Sequence, residues 1–160
     1  MPSQRQIRVG DVLIGGGAPV AVQTMTKTET ADLAATMAQI RRVAEVGADI
    51  VRVAVPRQQD AEALRTIVRE SPIPVIADIH FNHTLALKAL DVGAHCVRLN
   101  PGNIGGPEKV AEVTRRALDP ARPQLTIADA RPDGGWHTRR DVRAARQLAA
   151  NVPAAPHRAA

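Results

Sequence analysis

From residue 20 to residue 118 the chain alternates between two periods. Short runs of β-branched and aliphatic residues are each followed by a segment whose apolar residues recur at every third or fourth position, and the pair repeats about every 25 residues. Strands joined by a crossover of helix length pair in parallel rather than as hairpins, and a parallel sheet needs helices over its faces. The chain is therefore read as α/β.

Four such units follow one another. Residues 20–25 (VAVQTM) form the first strand, and Thr30 caps a helix whose apolar face is Leu33, Met37, Ile40 and Ala44, ending at Gly47. Residues 50–55 (IVRVAV) give the second strand, closed by Pro56, with Ala63, Leu64, Ile67 and Val68 marking its helix. Residues 74–79 (PVIADI) and a helix over residues 85–92, stopped by Gly93, make the third unit. The fourth has CVRL at residues 96–99 and a helix opened by Pro107, whose missing N–H has no partner at a first helical position, then continued by Val110, Val113 and Ala117.

Both an open doubly wound sheet and a closed eightfold barrel are built from this repeat. The open sheet normally carries a glycine-rich phosphate loop after its first strand, and Gln23-Thr24-Met25-Thr26 contains no glycine. A barrel is favoured. The expected fold is a partial (β/α)8 TIM barrel of about four βα units, preceded by an N-terminal β-hairpin that plugs its bottom. The run Gly15-Gly16-Gly17 is assigned to the hairpin turn, between residues 12–14 and Val20.

In such a barrel the C-terminal ends of the strands converge on one mouth, where ligands bind. Here those ends supply Gln23, Thr24 and Thr26 on the first strand, Asp78 and His80 on the third, and Arg98, Asn100 and Asn103 on the fourth, with Arg52 inside the second. A core strand gains nothing from an arginine. Two guanidiniums directed into one mouth repel unless an anion lies between them, and the planar arginine fork matches phosphate oxygens. After Asn100 a glycine-rich turn opens a helix, which adds backbone N–H groups suited to anions. The stretch CVRLNPGNIGG reads as half of a polyanion clamp.

Composition removes competing classes. Aromatic residues are 1% of the chain, with no Tyr and one Trp, so no base-stacking platform accompanies the net charge of +5. No nucleic-acid partner is expected. No apolar run reaches membrane-spanning length, and the N-terminus MPSQRQIRVG has no signal-like apolar segment, so no membrane partner is expected and the location is read as cytoplasmic. The single cysteine, Cys96, excludes an internal disulfide and reads as a small core residue. His80 and His83 are three apart but lack the further ligands a metal needs.

The segments VLIGGGAPVAVQTMTKTETAD, ATMAQIRRVAEVGADIVRVAVP, IPVIADIHF and VRLNPGNIGG, in this order, closely resemble the N-terminal barrel of the 4-hydroxy-3-methylbut-2-enyl diphosphate synthase family. The likeness runs over residues 5–118. It implies a step of isoprenoid biosynthesis by the methylerythritol phosphate route, the reductive ring opening and dehydroxylation of 2-C-methyl-D-erythritol 2,4-cyclodiphosphate. The family is an oxidoreductase homodimer that takes two electrons from ferredoxin or flavodoxin through a [4Fe-4S] cluster. By the same resemblance Arg52 and Arg98 grip the diphosphate, Asn100 and Asn103 complete the grip, and Asp78 and His80 line the cavity.

The chain departs from the family after Leu118. Full-length members hold the cluster with three cysteines and a glutamate in a second domain, which is not found here, where Cys96 is the one thiol. No cluster is expected on this chain, and the fragment alone is expected to be inactive. Residues 1–118 are taken as the N-terminal part of the substrate-binding barrel. Residues 119–160, rich in Ala, Arg and Pro, read as an irregular tail, disordered or frame-shifted, with a short strand at residues 125–128 and a weak helix at residues 142–150. Three readings stay open: a truncated or split synthase, a diphosphate-binding module, and the non-functional product of a broken gene.

Overall fold

A computed structural model describes residues 6–100 and 103–118, together with the backbone of residues 126–129. An antiparallel hairpin comes first, β1 (Gln6–Val9) against β2 (Val12–Gly15). A parallel sheet then runs in chain order through β3 (Gln23–Met25), β4 (Ile50–Ala54), β5 (Val75–Ile79), β6 (Cys96–Leu99) and β7 (Thr126–Asp129). The crossovers hold α1 (Leu33–Glu45), α2 (Gln58–Glu70), α3 (His83–Asp91) and α4 (Pro107–Ala117). This is the expected partial (β/α)8 barrel, with four βα units behind a hairpin. The expected strand in the tail is present, shifted by one residue, and pairs in parallel with β6. The expected helix at residues 142–150 lies outside the described residues.

Strict alternation along the strands sorts the side chains into two faces. Val51, Val53, Val75, Ala77, Ile79, Val97 and Leu99 pack with Ile40, Leu64, Ile67, Ala86 and Val113 of the helices in one continuous core. The opposite parity faces the barrel interior. Its lower tier is Ile50, Ile76 and Cys96, each at most 6% exposed, closed from below by Val9 with Val12, Ile14 and Ala21 around it. The hairpin is the plug the sequence predicts. One step further along the same face, apolar residues give way to Arg52, Asp78 and Arg98.

Three local expectations are corrected. The hairpin turns at Gly10-Asp11, not at Gly15-Gly16-Gly17, because β2 pairs back onto β1 rather than forward onto residue 20. Gly10 has φ +61°, and a Cβ there would lie 2.7 Å from Pro74 Cγ and 3.1 Å from the His95 ring, so only glycine fits where the turn meets the barrel. Secondly, the first strand begins at Gln23 rather than Val20; Val20 and Val22 precede it and are 93% and 54% exposed. Thirdly, Asp32, not Thr30, caps α1 by accepting the Ala35 N–H. Thr30 is buried instead, its hydroxyl donating to the Ala54 carbonyl at 2.6 Å.

Candidate functional site

The strand register brings the polar residues together. Asp78 is the direct partner of Arg98 across β5 and β6, and Arg52 lies two residues before Ala54, the partner of Asp78 on β4. Since 52, 78 and 98 share the interior parity, the carboxylate stands between two guanidiniums. Arg98 Nη1 donates to Asp78 Oδ1 at 2.6 Å, and Arg52 Nε lies 3.3 Å from Asp78 Oδ2. The Asp78 side chain is 1% exposed, against 22% for Arg52 and 14% for Arg98. Arg52 also donates from Nη2 to the sulfur of Met25, its register partner on β3, at 3.3 Å.

The anion that the arginine pair requires is thus partly supplied by the chain itself. Two guanidiniums against one carboxylate leave the cluster net positive. Their hydrogen bonding is also incomplete: both Nε–H groups are buried without an acceptor, because the Arg52 N–H is not directed at the nearby Asp78 oxygen.

His80 joins at the rim. Its Nε2 lies 3.5 Å from Asp78 Oδ1 and 3.4 Å from Arg98 Nη1, with the side chain 41% exposed. The next residue, Phe81, is 70% exposed, and its ring centre is 5.9 Å from that of His80. On the far side of Arg98, the Asn100 carbonyl accepts the N–H groups of Asn103 at 3.0 Å and Ile104 at 3.1 Å. Ile104 is buried and anchors this turn, so half-buried Asn100 and exposed Asn103 stand at the same end of the sheet as Arg98. Pro101 and Gly102, between them, lie outside the described residues. The six residues assigned to the substrate by resemblance therefore lie on β4, β5 and β6 or in the loops that follow them, with Arg52 in the middle of β4, and four of them make direct contact.

Sequence reasoning missed the scaffold around the loop after β3. Asp60, fully buried in the first turn of α2, accepts the N–H of Ala31 at 3.0 Å and of Arg57 at 3.1 Å. Its Oδ2 also accepts from Arg57 Nε, and the same arginine pairs with Glu29. Thr36 of α1 donates to the Glu29 carbonyl and meets the Thr28 hydroxyl at 2.8 Å, while Gln39 accepts the Lys27 N–H. Spacing in one element carries no signal for such a network, since the ties of Asp60 to Ala31 and of Arg57 to Glu29 join residues 29 and 28 positions apart. His83, paired in the sequence with His80, instead faces Glu112 of α4 at 3.6 Å. Among the described residues no group of three or more metal-ligating side chains is assembled, and no helix is long and apolar enough to cross a membrane.

The sequence model of the GcpE TIM-barrel domain matches residues 4–124. The chain belongs to the GcpE TIM-barrel family. Relatives of this family from Ruegeria sp. (strain TM1040) and Rhodospirillum rubrum are each 56% identical over 115 residues, which is 72% of this chain and 30% of theirs. One from Shewanella frigidimarina is 55% identical over 118 residues, 74% of this chain and 32% of its own length. All three are named 4-hydroxy-3-methylbut-2-en-1-yl diphosphate synthase (flavodoxin). The chain therefore spans about a third of the length of these relatives.

Solved structures agree on the barrel fold. The phospho-2-dehydro-3-deoxyheptonate aldolase of Thermotoga maritima superposes with a TM-score of 0.57 at 15% identity, covering 78% of this chain and 37% of its own. The dihydropteroate synthase of Yersinia pestis gives 0.55 at 10% identity, covering 78% and 46%. At such identities the likeness is one of fold.

The residues present do not fit an iron–sulfur cluster. Such clusters take several thiolates, and Cys96 is 1% exposed in the lower tier, under the hairpin and below Arg98 on the same strand.

Proposed function

We propose that this chain is the diphosphate-gripping part of a 4-hydroxy-3-methylbut-2-en-1-yl diphosphate synthase, acting on 2-C-methyl-D-erythritol 2,4-cyclodiphosphate. Arg52 and Arg98 hold the diphosphate oxygens, Asn100 and Asn103 donate to them from the turn after β6, and Asp78 and His80 line the cavity. The observation that carries the reading is the convergence of two guanidiniums on one mouth, net positive even after Asp78 and with N–H groups still lacking acceptors. In the full-length family a [4Fe-4S] cluster reduced by flavodoxin or ferredoxin supplies the electrons for ring opening and loss of the hydroxyl. This chain's own contribution is narrower: it binds the charged end of the substrate and fixes its orientation at the strand ends. The cytoplasm, where flavodoxin and phosphorylated intermediates are found, is the proposed location.

Calorimetric titration with the cyclodiphosphate tests the grip. Charge-assisted bidentate contacts are worth about 1.5–3 kcal/mol each, so Arg52→Lys and Arg98→Lys are each expected to weaken binding about tenfold or more. Rising salt weakens the wild type as well. Equal affinity in wild type and both lysine variants would show that the diphosphate lies elsewhere.

A further inference from the structure

We propose that Asp78 is a built-in counter-ion, which competes with a bound diphosphate for Arg52 and Arg98 and thereby limits how tightly the mouth holds anions. The inference rests on the diphosphate reading of these arginines and deepens it. Asp78 is all but excluded from solvent, and both of its oxygens are turned to guanidinium groups, at 2.6 Å and 3.3 Å. Among the described residues its remaining ion-pairing neighbour is His80, cationic when protonated. An incoming phosphate oxygen must therefore share guanidiniums that the carboxylate already engages, and it meets the field of that carboxylate at close range in a site of reduced dielectric. The buried, acceptorless Nε–H groups of both arginines fit a compromise: Asp78 balances charge without satisfying the forks.

A carboxylate that merely held the arginines in place would, on removal, weaken anion binding. A competing counter-ion does the opposite. Without it the two arginines repel in the empty protein, and a diphosphate that relieves the repulsion binds more tightly. The two roles thus differ in sign.

Inorganic pyrophosphate titrated into wild type and Asp78→Asn at low and high salt reads that sign. The variant is expected to melt earlier without ligand, to bind pyrophosphate roughly threefold to tenfold more tightly, and to lose affinity more steeply with salt. Equal or weaker binding would overturn the proposal. Should Asp78→Asn fail to fold, Asp78→Ala leaves room for a small carboxylate. Formate is then expected to raise its melting temperature and to be displaced by pyrophosphate, whereas a variant indifferent to formate would also overturn the counter-ion role. If wild type binds neither pyrophosphate nor the cyclodiphosphate, the diphosphate reading fails, and the response of Asp78→Ala to formate still decides the counter-ion role.

Discussion

Removing Arg98 strands a charge that water does not reach. Asp78 is 1% exposed, so Arg98→Met leaves a buried carboxylate with Arg52 as its remaining strong partner. Breaking a buried pair from one side costs about 3–5 kcal/mol, and Arg52 holds the loss near the lower end. Denaturant unfolding of Arg98→Met and of Arg98→Met with Asp78→Asn measures it, the double variant being expected to recover part of the loss. A half-buried titratable group works at the other end of the sheet. His95 Nδ1 accepts the Val75 N–H at 3.1 Å, and burial pushes the imidazole below the usual histidine range against the pull of Asp11. The unfolded chain takes up the proton at about pH 6.5, before the folded one does. The stability that neutral His95 provides is therefore complete above that pH and is lost as the pH falls through the lower folded value. Protonation also turns an acceptor into a donor facing the Val75 N–H. Melting temperatures are expected to drop on acidification over this window, and His95→Asn, which keeps an acceptor, is expected to flatten that part of the profile.

At the scale of elements, legibility followed period. The strand Cys96–Leu99, a strand starting at Ile50, the helix marked by Ala63, Leu64, Ile67 and Val68, and the helix opened by Pro107 were readable because β-branched runs and an apolar spacing of three and four are local properties. The mouth was readable too, since strand ends in a barrel converge whatever the loops do. What failed was any choice settled by tertiary partners. Gly15-Gly16-Gly17 looked like the better turn, yet Gly10-Asp11 won because only that turn sets Val9, Val12 and Ile14 under Ile50 and Ile76. Thr30 looked like the cap, but its hydroxyl is taken by the Ala54 carbonyl, so the cap passes to Asp32. The bridging role of Asp78 needed the register of three strands. The loop from β3 to α1 makes the energetic point, because Asp60 ties it to α2 through the N–H groups of Ala31 and Arg57. Asp60→Ala abandons both donors, and at about 1–3 kcal/mol for each unsatisfied group a loss of about 2–6 kcal/mol is expected. Hydrogen exchange should quicken at Ala31 and Arg57 in that variant; unchanged exchange there would show that the loop holds itself.

At the scale of the whole molecule, the five strands of the parallel sheet stay open among the described residues. Among the described residues β3 has one hydrogen-bonded neighbour, β4, so its other edge is unpaired. An exposed edge templates pairing with a further strand, and natural edges are guarded by charge, proline or cover. Here the approach to the edge carries Val20 and Val22, exposed and apolar, after Pro19. On the side of β3 the interior tier of Arg52, Asp78 and Arg98 meets Met25, whose sulfur accepts from Arg52. Self-association through this edge is therefore expected as concentration rises. Val22 is 54% exposed and its backbone is already tied to Asp49, the N–H donating to the carboxylate at 2.7 Å and the carbonyl accepting the Asp49 N–H at 2.9 Å. A lysine there adds charge at the edge without disturbing those bonds. Sedimentation velocity over a concentration series is the measurement: Val22→Lys is expected to remain monomeric at concentrations where the wild type associates, with an unchanged melting temperature. Identical sedimentation of the two would show that the β3 edge is not where copies of the chain meet.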